Sequence, residues 1–242
     1  MADQKTGLVI TAHPGDFVWR AGGAIALHRQ ARLPGQDRLP LIWRSAARAN
    51  SPGKSTGATL EKVKAGRRDE AERAAKLLGA EIEFFDCGDY PLKLNDTHFD
   101  RMVDIYRELN PAFVLTHALE DPYNFDHPNA AHFAQETARR GAGHGSQARC
   151  QIQIFGAARV PVRAAPAGNV RNYKPNLILK IDEVWEQKYR AFQILAAQKH
   201  LWAYYERVAL NRGIQGSRNT GVPMTYGEAY QRLFPTVEEI LK

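Results

Sequence analysis

AHPGDFVWRAGG, residues 12–23, follows directly on the apolar run Leu8-Val9-Ile10, and its reading decides the fold. The run reads as a fully buried strand, and Ala21 to Gln30 as a helix opened by the Gly22-Gly23 pair, which lets backbone approach closely. His13 and Asp16 then stand on the loop where strand gives way to helix, the edge at which an α/β sheet presents its chemistry. An imidazole and a carboxylate three residues apart can both turn toward one cation, given a third ligand from elsewhere. The same two residues also suit a plainer role, with His13 closing the strand and Asp16 capping the helix.

A third ligand follows more than a hundred residues later. The segment Asp121-Pro122-Tyr123-Asn124-Phe125-Asp126-His127-Pro128 comes just after a second apolar run, Ala112 to Thr116. If both runs are parallel strands, their carboxyl ends lie side by side, and His13, Asp16 and His127 form a two-histidine, one-carboxylate set. Such a set suits Zn2+, or another divalent metal, that keeps an open position for water or substrate. Asp126, beside His127, is expected to accept the hydrogen bond from that imidazole's other nitrogen. His132 competes with His127, but five helical steps of about 100° put it on a different face, as a surface or packing histidine.

The rest of the chain alternates strand and helix, so the expected fold class is α/β, a Rossmann-like, doubly wound, mostly parallel sheet flanked by helices. Strands are expected at Leu39–Trp43, Glu81–Phe85, 112–116, Cys150–Phe155 and Asn176–Ile181. Helices are expected at Glu61–Leu78, Asp96–Leu109 (capped by Asn95 or Asp96 and stopped before Pro111), Asp126–Gly141 and, as one long element, Asp182–Tyr205. Residues 160–175, punctuated by proline and glycine, read as an irregular excursion near the site. Tyr226 and Tyr230 read as a packing pair on a helix face. No internal repeat or long linker divides the 242 residues, which are expected to form a single domain with a helical tail.

Composition narrows the function classes. Two cysteines, Cys87 and Cys150, exclude a disulfide scaffold and read as small buried hydrophobes in a reducing compartment. The polar start MADQKTG is not a signal peptide, and no apolar run reaches the roughly 18 residues that span a bilayer, so a cytoplasmic protein with no membrane partner is expected. The net charge of +7 invites nucleic acid, but the basic residues are dispersed among acids without aromatic interleaving. Solvated surface and a small anionic substrate are the two better explanations, because a basic cleft steers carboxylates and guanidinium groups grip them with paired hydrogen bonds. Two tempting motifs fail. Ser51-Pro52-Gly53-Lys54-Ser55 has Arg48 where a P-loop needs its first glycine, and no GxGxxG follows the first strand.

The AHPGD-then-GG and NFDHP pair resembles the PIG-L/LmbE superfamily of zinc-dependent N-deacetylases, whose hallmark is AHPDDE with a later HPDH. The resemblance implies His13, Asp16 and His127 as metal ligands. AHPGDFVWRAGG, THALEDPYNFDHP, QKHLWAYYERVALNRG and RNTGVPMTYGEAYQRLFP are similar to a branch that does not deacetylate, the 4-oxalomesaconate hydratases, so the likeness runs from about Leu8 to about Pro235. Two positions depart from the deacetylases. The acidic residue that serves them as general base is Gly15 here, and the first histidine of HPDH is Asn124, which keeps one hydrogen-bond donor. Two others depart from the hydratases, with Ala47 and Ala158 roughly where an acidic and a basic group are expected.

The resemblance and the missing base together imply a zinc-dependent addition of water across a carbon–carbon double bond conjugated to a 2-oxo acid. The expected proton carriers are Asp126, Asp121 and His117, with Asp126 also a candidate orienter, His117 a candidate strand-end histidine and Asp121 a candidate turn residue. Arg20, Asn124, Arg218 and Asn219 are the expected substrate binders. A deacetylase that Gly15→Asp would strengthen is the rival reading, and a zinc-binding protein without catalysis is the third. A homo-oligomer is expected from the superfamily.

Overall fold

The computed structural model describes residues 6–30, 39–45, 59–88, 90–141, 151–155, 158–159, 168–169 and 173–233. Its elements in chain order are β1 (Gly7–Thr11), α1 (Asp16–Gln30), β2 (Leu39–Ser45), α2 (Leu60–Leu78), β3 (Ala80–Asp86), α3 (Asp96–Leu109), β4 (Phe113–His117), α4 (Asp126–Gly141), β5 (Gln151–Phe155), the short β6 (Ala158–Arg159) and β7 (Gly168–Asn169), β8 (Leu177–Lys180), α5 (Trp185–Ile194), α6 (Trp202–Thr220) and β9 (Gly227–Arg232). Among the described residues the main sheet has seven strands in the order β3-β2-β1-β4-β5-β9-β8. The first five are parallel, and β9 and β8 close one edge antiparallel.

Alternation along the central strands splits the core in two, because successive side chains point to opposite faces. Val9 and Leu115 join the cluster built with α1, α2 and α5, while Leu8, Ile10 and Val114 join the one built with α3 and α4. Helix ends follow local chemistry. Thr59 Oγ1 accepts from Lys62 N at the start of α2, and Gly79 closes that helix at φ 82°. Asn95 and His98 form a reciprocal capping box on α3, which settles the choice between Asn95 and Asp96. Cys87 is buried in the second core cluster, and among the described residues no helix is long and apolar enough to cross a membrane.

Three expectations need correction. Helix α1 begins at Asp16 rather than Ala21, so Gly22 and Gly23 lie inside it and serve packing. A Cβ on Gly23 would stand 2.6 Å from Ile181 Cγ2 and 2.9 Å from Glu228 Oε1. The long helix expected at Asp182–Tyr205 is broken. Helix α5 stops at Ile194, a 3-10 segment (Ala196–Leu201) with a non-helical Gln198 intervenes, and α6 runs on to Thr220. Glu70 Oε1 accepts from the Ala197 amide across the break at 2.9 Å, an interaction from a distant helix that local periodicity does not contain. Tyr230 lies on strand β9 and Tyr226 just before it, so both pack, but not on a helix. Tyr226 stacks on Trp185 at 4.0 Å between ring centroids. Ala47, Cys150, the P-loop-like segment and most of 160–175 lie outside the described residues, and at Ala158 the description extends to the backbone alone.

Glu228 fastens β9 to the opening helix. Its Oε1 accepts from Gly23 N at 2.7 Å and Lys188 Nζ at 2.5 Å, and its Oε2 from Ala24 N at 2.8 Å and Tyr230 Oη at 2.6 Å. Two helical glycines are therefore expected to respond to alanine with opposite signs. Gly23→Ala overpacks this junction and should lower stability by about 1–3 kcal/mol. Gly66→Ala, where nothing lies within 4 Å of the added carbon, should raise it by about 0.5–1 kcal/mol in thermal or denaturant unfolding.

Candidate metal centre

Strand order reverses between β1 and β4. The chain builds outward from β1 to β2 and β3, then returns to place β4 on the other side of β1. The crevice beyond the carboxyl ends at such a reversal is where open α/β sheets hold ligands. His13 and Asp16 enter it from the end of β1, and His117, Asp121, Asp126 and His127 from the end of β4 and the start of α4. The tight turn His13-Pro14-Gly15-Asp16 closes with Asp16 N donating to His13 O, so both side chains face inward.

His13, Asp16 and His127 converge, with one donor atom from each lying within 4.8 Å of the others. Asp16 Oδ2 sits 3.1 Å from His13 Nδ1 and 3.6 Å from His127 Nε2. Burial alone would raise the Asp16 carboxyl, but the neighbouring His127 and His117 hold it well below the usual carboxylate range, so it is an anion at neutral pH. Two imidazole nitrogens and one carboxylate around a buried point fit a divalent cation whose bonds run about 2.0–2.2 Å.

Each of the two candidate histidines, His127 and His13, has its own carboxylate. Asp121 Oδ2 accepts from His127 Nδ1 at 2.7 Å, which leaves the His127 Nε2 lone pair facing Asp16. Asp126 Oδ2 lies 3.5 Å from His13 Nε2. The sequence reading placed Asp126 on His127, and the structure places Asp121 there instead. Adjacent residues at the start of a helix diverge by about 100°, so Asp126 turns away from its neighbour. Its two oxygens accept from the Tyr90 and Leu92 amides at 2.9 Å each and hold that loop over the site. Burial raises both carboxyls, yet hydrogen bonds from His127 to Asp121, and from His13 and the loop amides to Asp126, bring each below its ordinary value.

His117 is fully buried and stacked on His127 at 4.1 Å. Its Nε2 accepts the Ala12 N–H at 2.9 Å, and burial together with His127 keeps the ring neutral. With that lone pair engaged by β1, His117 fixes the two strand ends rather than joining the ligand set. Arg20, buried one helical turn after Asp16, points its Nε toward Asp16 Oδ1 at 3.6 Å and hydrogen-bonds Tyr205. Asn124 accepts from Asp126 N and donates to Tyr90 Oη at 2.7 Å. Arg218 and Asn219 are exposed in the last turn of α6, roughly 20 Å along the helix from Tyr205 at ~1.5 Å per residue, and are not brought to this cluster. His132 is exposed, as its spacing implied.

Sequence reasoning missed Tyr90, whose ring stacks on His13 at 5.4 Å and forms part of the mouth. It also missed what stands over Gly15. A Cβ there would collide with Trp19 Nε1 and Gln198 Oε1. Trp19 is held in place by stacking on Tyr205 and tilting against Phe192. The i, i+4 spacing of Gly15 and Trp19 was visible in the sequence, but Gln198 arrives through the unforeseen break before α6.

The PIG-L family model, described as GlcNAc-PI de-N-acetylase, matches residues 8–138. A 4-oxalmesaconate hydratase of Pseudomonas putida KT2440 is 42% identical over 98% of this chain and 93% of its own. The chain belongs to the PIG-L family. Among solved structures, GalB, the 4-carboxy-2-hydroxymuconate hydratase of P. putida KT2440, superposes with a TM-score of 0.85 at 39% identity, covering 99% of this chain and 100% of that one. An N,N'-diacetylchitobiose deacetylase from Pyrococcus horikoshii shares the fold with a TM-score of 0.73 at 20% identity, covering 96% of this chain and 84% of its own. The PIG-L match spans both stretches that carry His13, Asp16 and His127, from β1 to α4.

If Asp121 orients His127, Asp121→Asn should weaken binding of a divalent ion by roughly 10–100-fold, read by competition with a chromophoric chelator. Affinity unchanged in this variant would show that the His127 ring is held by something else.

Proposed function

We propose that this chain is a metal-dependent hydratase that adds water across the double bond of an unsaturated 2-oxo di- or tricarboxylic acid of the 4-oxalmesaconate type. The observation that carries the reading is the 42% identity to a curated 4-oxalmesaconate hydratase along nearly the whole of both chains. The order β3-β2-β1-β4-β5, with helices on both faces, supports a Rossmann-like sheet forming one domain, with the crevice at its reversal point as the site.

In this reading His13, Asp16 and His127 hold the ion, and Zn2+ suits the donor set. When bound, such an ion polarises a substrate oxygen and acidifies bound water. Asp121 and Asp126 fix the two ligating rings from behind, so neither imidazole reorients as substrate enters. Both carboxylates sit below their ordinary pKa, which favours acceptor and orienting roles over proton donation. Arg20 supplies buried positive charge beside Asp16, where a substrate carboxylate or the negative charge developing on the oxo acid is stabilised. Asn124 and Tyr90 shape the mouth, and the loop held by Asp126 limits access of water.

Deacetylation is disfavoured by the ground above Gly15. The position equivalent to the deacetylases' acidic residue carries no side chain, and Trp19 and Gln198 fill the space one would need. Restoring an acid there overpacks the turn instead of recreating a base.

The purified chain is expected to bleach the conjugated absorbance of an unsaturated 2-oxo tricarboxylate, to lose that activity on chelation and to regain it with Zn2+. Gly15→Asp is expected to release no acetate from N-acetylated amino sugars and to lose about 1–3 kcal/mol of stability. Acetate release by the wild type, with no bleaching of any such acid, would overturn the hydratase reading in favour of a hydrolase.

A further inference from the structure

Two loops meet at the mouth of the His13, Asp16 and His127 crevice, one leading out of β3 and one between β4 and α4, and a hydrogen bond between side chains joins them. Asn124 Nδ2 donates to Tyr90 Oη at 2.7 Å. Tyr90 is half-exposed, and its backbone stands at φ 41°, a left-handed conformation that a bulky residue rarely adopts. Asp126 holds it there, with Oδ2 accepting the Tyr90 amide and Oδ1 the Leu92 amide at 2.9 Å each. From that position the phenol ring lies on His13, with 5.4 Å between centroids and 18° between planes, so Tyr90 touches the cluster directly. Backbone outliers of this kind persist where several partners hold them, and they cluster at ligand clamps and active sites.

The Asn124–Tyr90 bond has a fixed polarity. Asn124 Oδ1 accepts from Asp126 N at 3.0 Å, which identifies the oxygen of the amide and turns the nitrogen toward Tyr90. An amide nitrogen brings two hydrogens and accepts none, so Tyr90 Oη is the acceptor. One N–H of Asn124 is engaged by the phenol, and the other meets no partner among the described residues. Asn124 is only partly buried, which leaves this second N–H at the mouth of the crevice. With both ends of the amide tied, the group does not flip to present its oxygen. An ionised oxo acid offers acceptors only, so a donor of fixed direction selects one pose of such a ligand.

We propose that Tyr90 is a positioning residue, which through its hydroxyl fixes the Asn124 N–H that receives a substrate carboxylate as the acid reaches the His13, Asp16 and His127 cluster. The identity of the substrate rests on the hydratase reading. The Tyr90 ring, stacked on His13, is a separate contact that phenylalanine preserves, and this separation gives the test its control.

The test titrates the full chain, supplied with Zn2+, calorimetrically with propane-1,2,3-tricarboxylate, which has no double bond to hydrate, and compares wild type with Tyr90→Phe, Asn124→Ala and the double variant. Asn124→Ala should weaken binding by roughly 10–100-fold, the worth of a hydrogen bond to a charged group, and Tyr90→Phe by about 3–10-fold. The double variant should bind within about twofold of Asn124→Ala, because the phenol then has nothing to orient. Zn2+ affinity of Tyr90→Phe should stay within about twofold of wild type, because the ring on His13 remains. Asn124→Asp keeps the acceptor for Asp126 N and replaces the donor with an anion, so it should lose at least as much as Asn124→Ala, and it serves if that variant does not fold. Losses that multiply in the double variant, wild-type affinity in Tyr90→Phe, no binding by wild type, or a tenfold fall in the Zn2+ affinity of Tyr90→Phe would each overturn the assignment. Steady-state KM for an unsaturated 2-oxo tricarboxylate separates this claim from the hydratase reading. Binding that follows the pair in a chain that hydrates nothing removes the hydratase and keeps the pair. Turnover whose KM is the same in all these variants removes the pair and keeps the hydratase.

Discussion

A single carboxylate oxygen, Asp16 Oδ2, lies within 3.6 Å of nitrogens from three histidines, His13, His117 and His127, in a buried crevice. A desolvated carboxylate is costly unless positive charge or hydrogen bonds compensate it. Here the His13 backbone amide donates to it at 3.0 Å, and Arg20 approaches the other oxygen. The cluster argues for a cation, since the carboxylate-backed His13 and His127 bring lone pairs to the point where Asp16 brings its charge. Much else in the architecture keeps that point assembled. The parallel pairing of β1 with β4 sets the two halves of the cluster side by side, and the Ala12 amide on His117 Nε2 pins their ends together.

From there the surrounding structure divides into supports and walls. Asp121 and Asp126 back one histidine each, and Asp126 doubles as the anchor of the Tyr90–Leu92 loop. Behind α1, Glu228 draws β9, Lys188 and the amides of Gly23 and Ala24 into one buried knot, which is why two glycines sit inside a helix. The broken helix has a local consequence at the site. By stopping α5 at Ile194 and restarting at Trp202, it brings Gln198 over Gly15, and α6 then presents Tyr205 to Trp19 and Arg20.

Much of this was legible before coordinates. Leu8-Val9-Ile10 and Ala112–Thr116 are apolar on both faces, the mark of central parallel strands, and the polar residues after each had to share an edge. That suffices to bring His13, Asp16 and His127 together across more than a hundred residues. The failures come from local side-chain geometry in some places and from long-range contacts in others. Asp121 rather than Asp126 backs His127 because helix geometry turns adjacent side chains apart. Glycines 22 and 23 read as a helix opening because Lys188, beside Gly22, and Ile181 and Glu228, beside Gly23, are more than 150 residues away. The kink at Gln198 is invisible because 3-10 and α turns preserve nearly the same apolar spacing, and β9 is masked by aromatic residues that fit either element. Arg218 and Asn219 looked like site residues through resemblance alone, and both are exposed at the far end of α6.

The central claim is that His13, Asp16 and His127 together hold one divalent ion. X-ray absorption at the metal edge of the purified chain, loaded with Zn2+ and freed of excess, tests it most directly. The account predicts one ion per chain, with two imidazole nitrogens and carboxylate oxygen in its first shell, and loss of the imidazole signature in a His13→Ala, His127→Ala double variant. A chain that stays metal-free after loading, or an ion whose histidine signature survives in that variant, would contradict it.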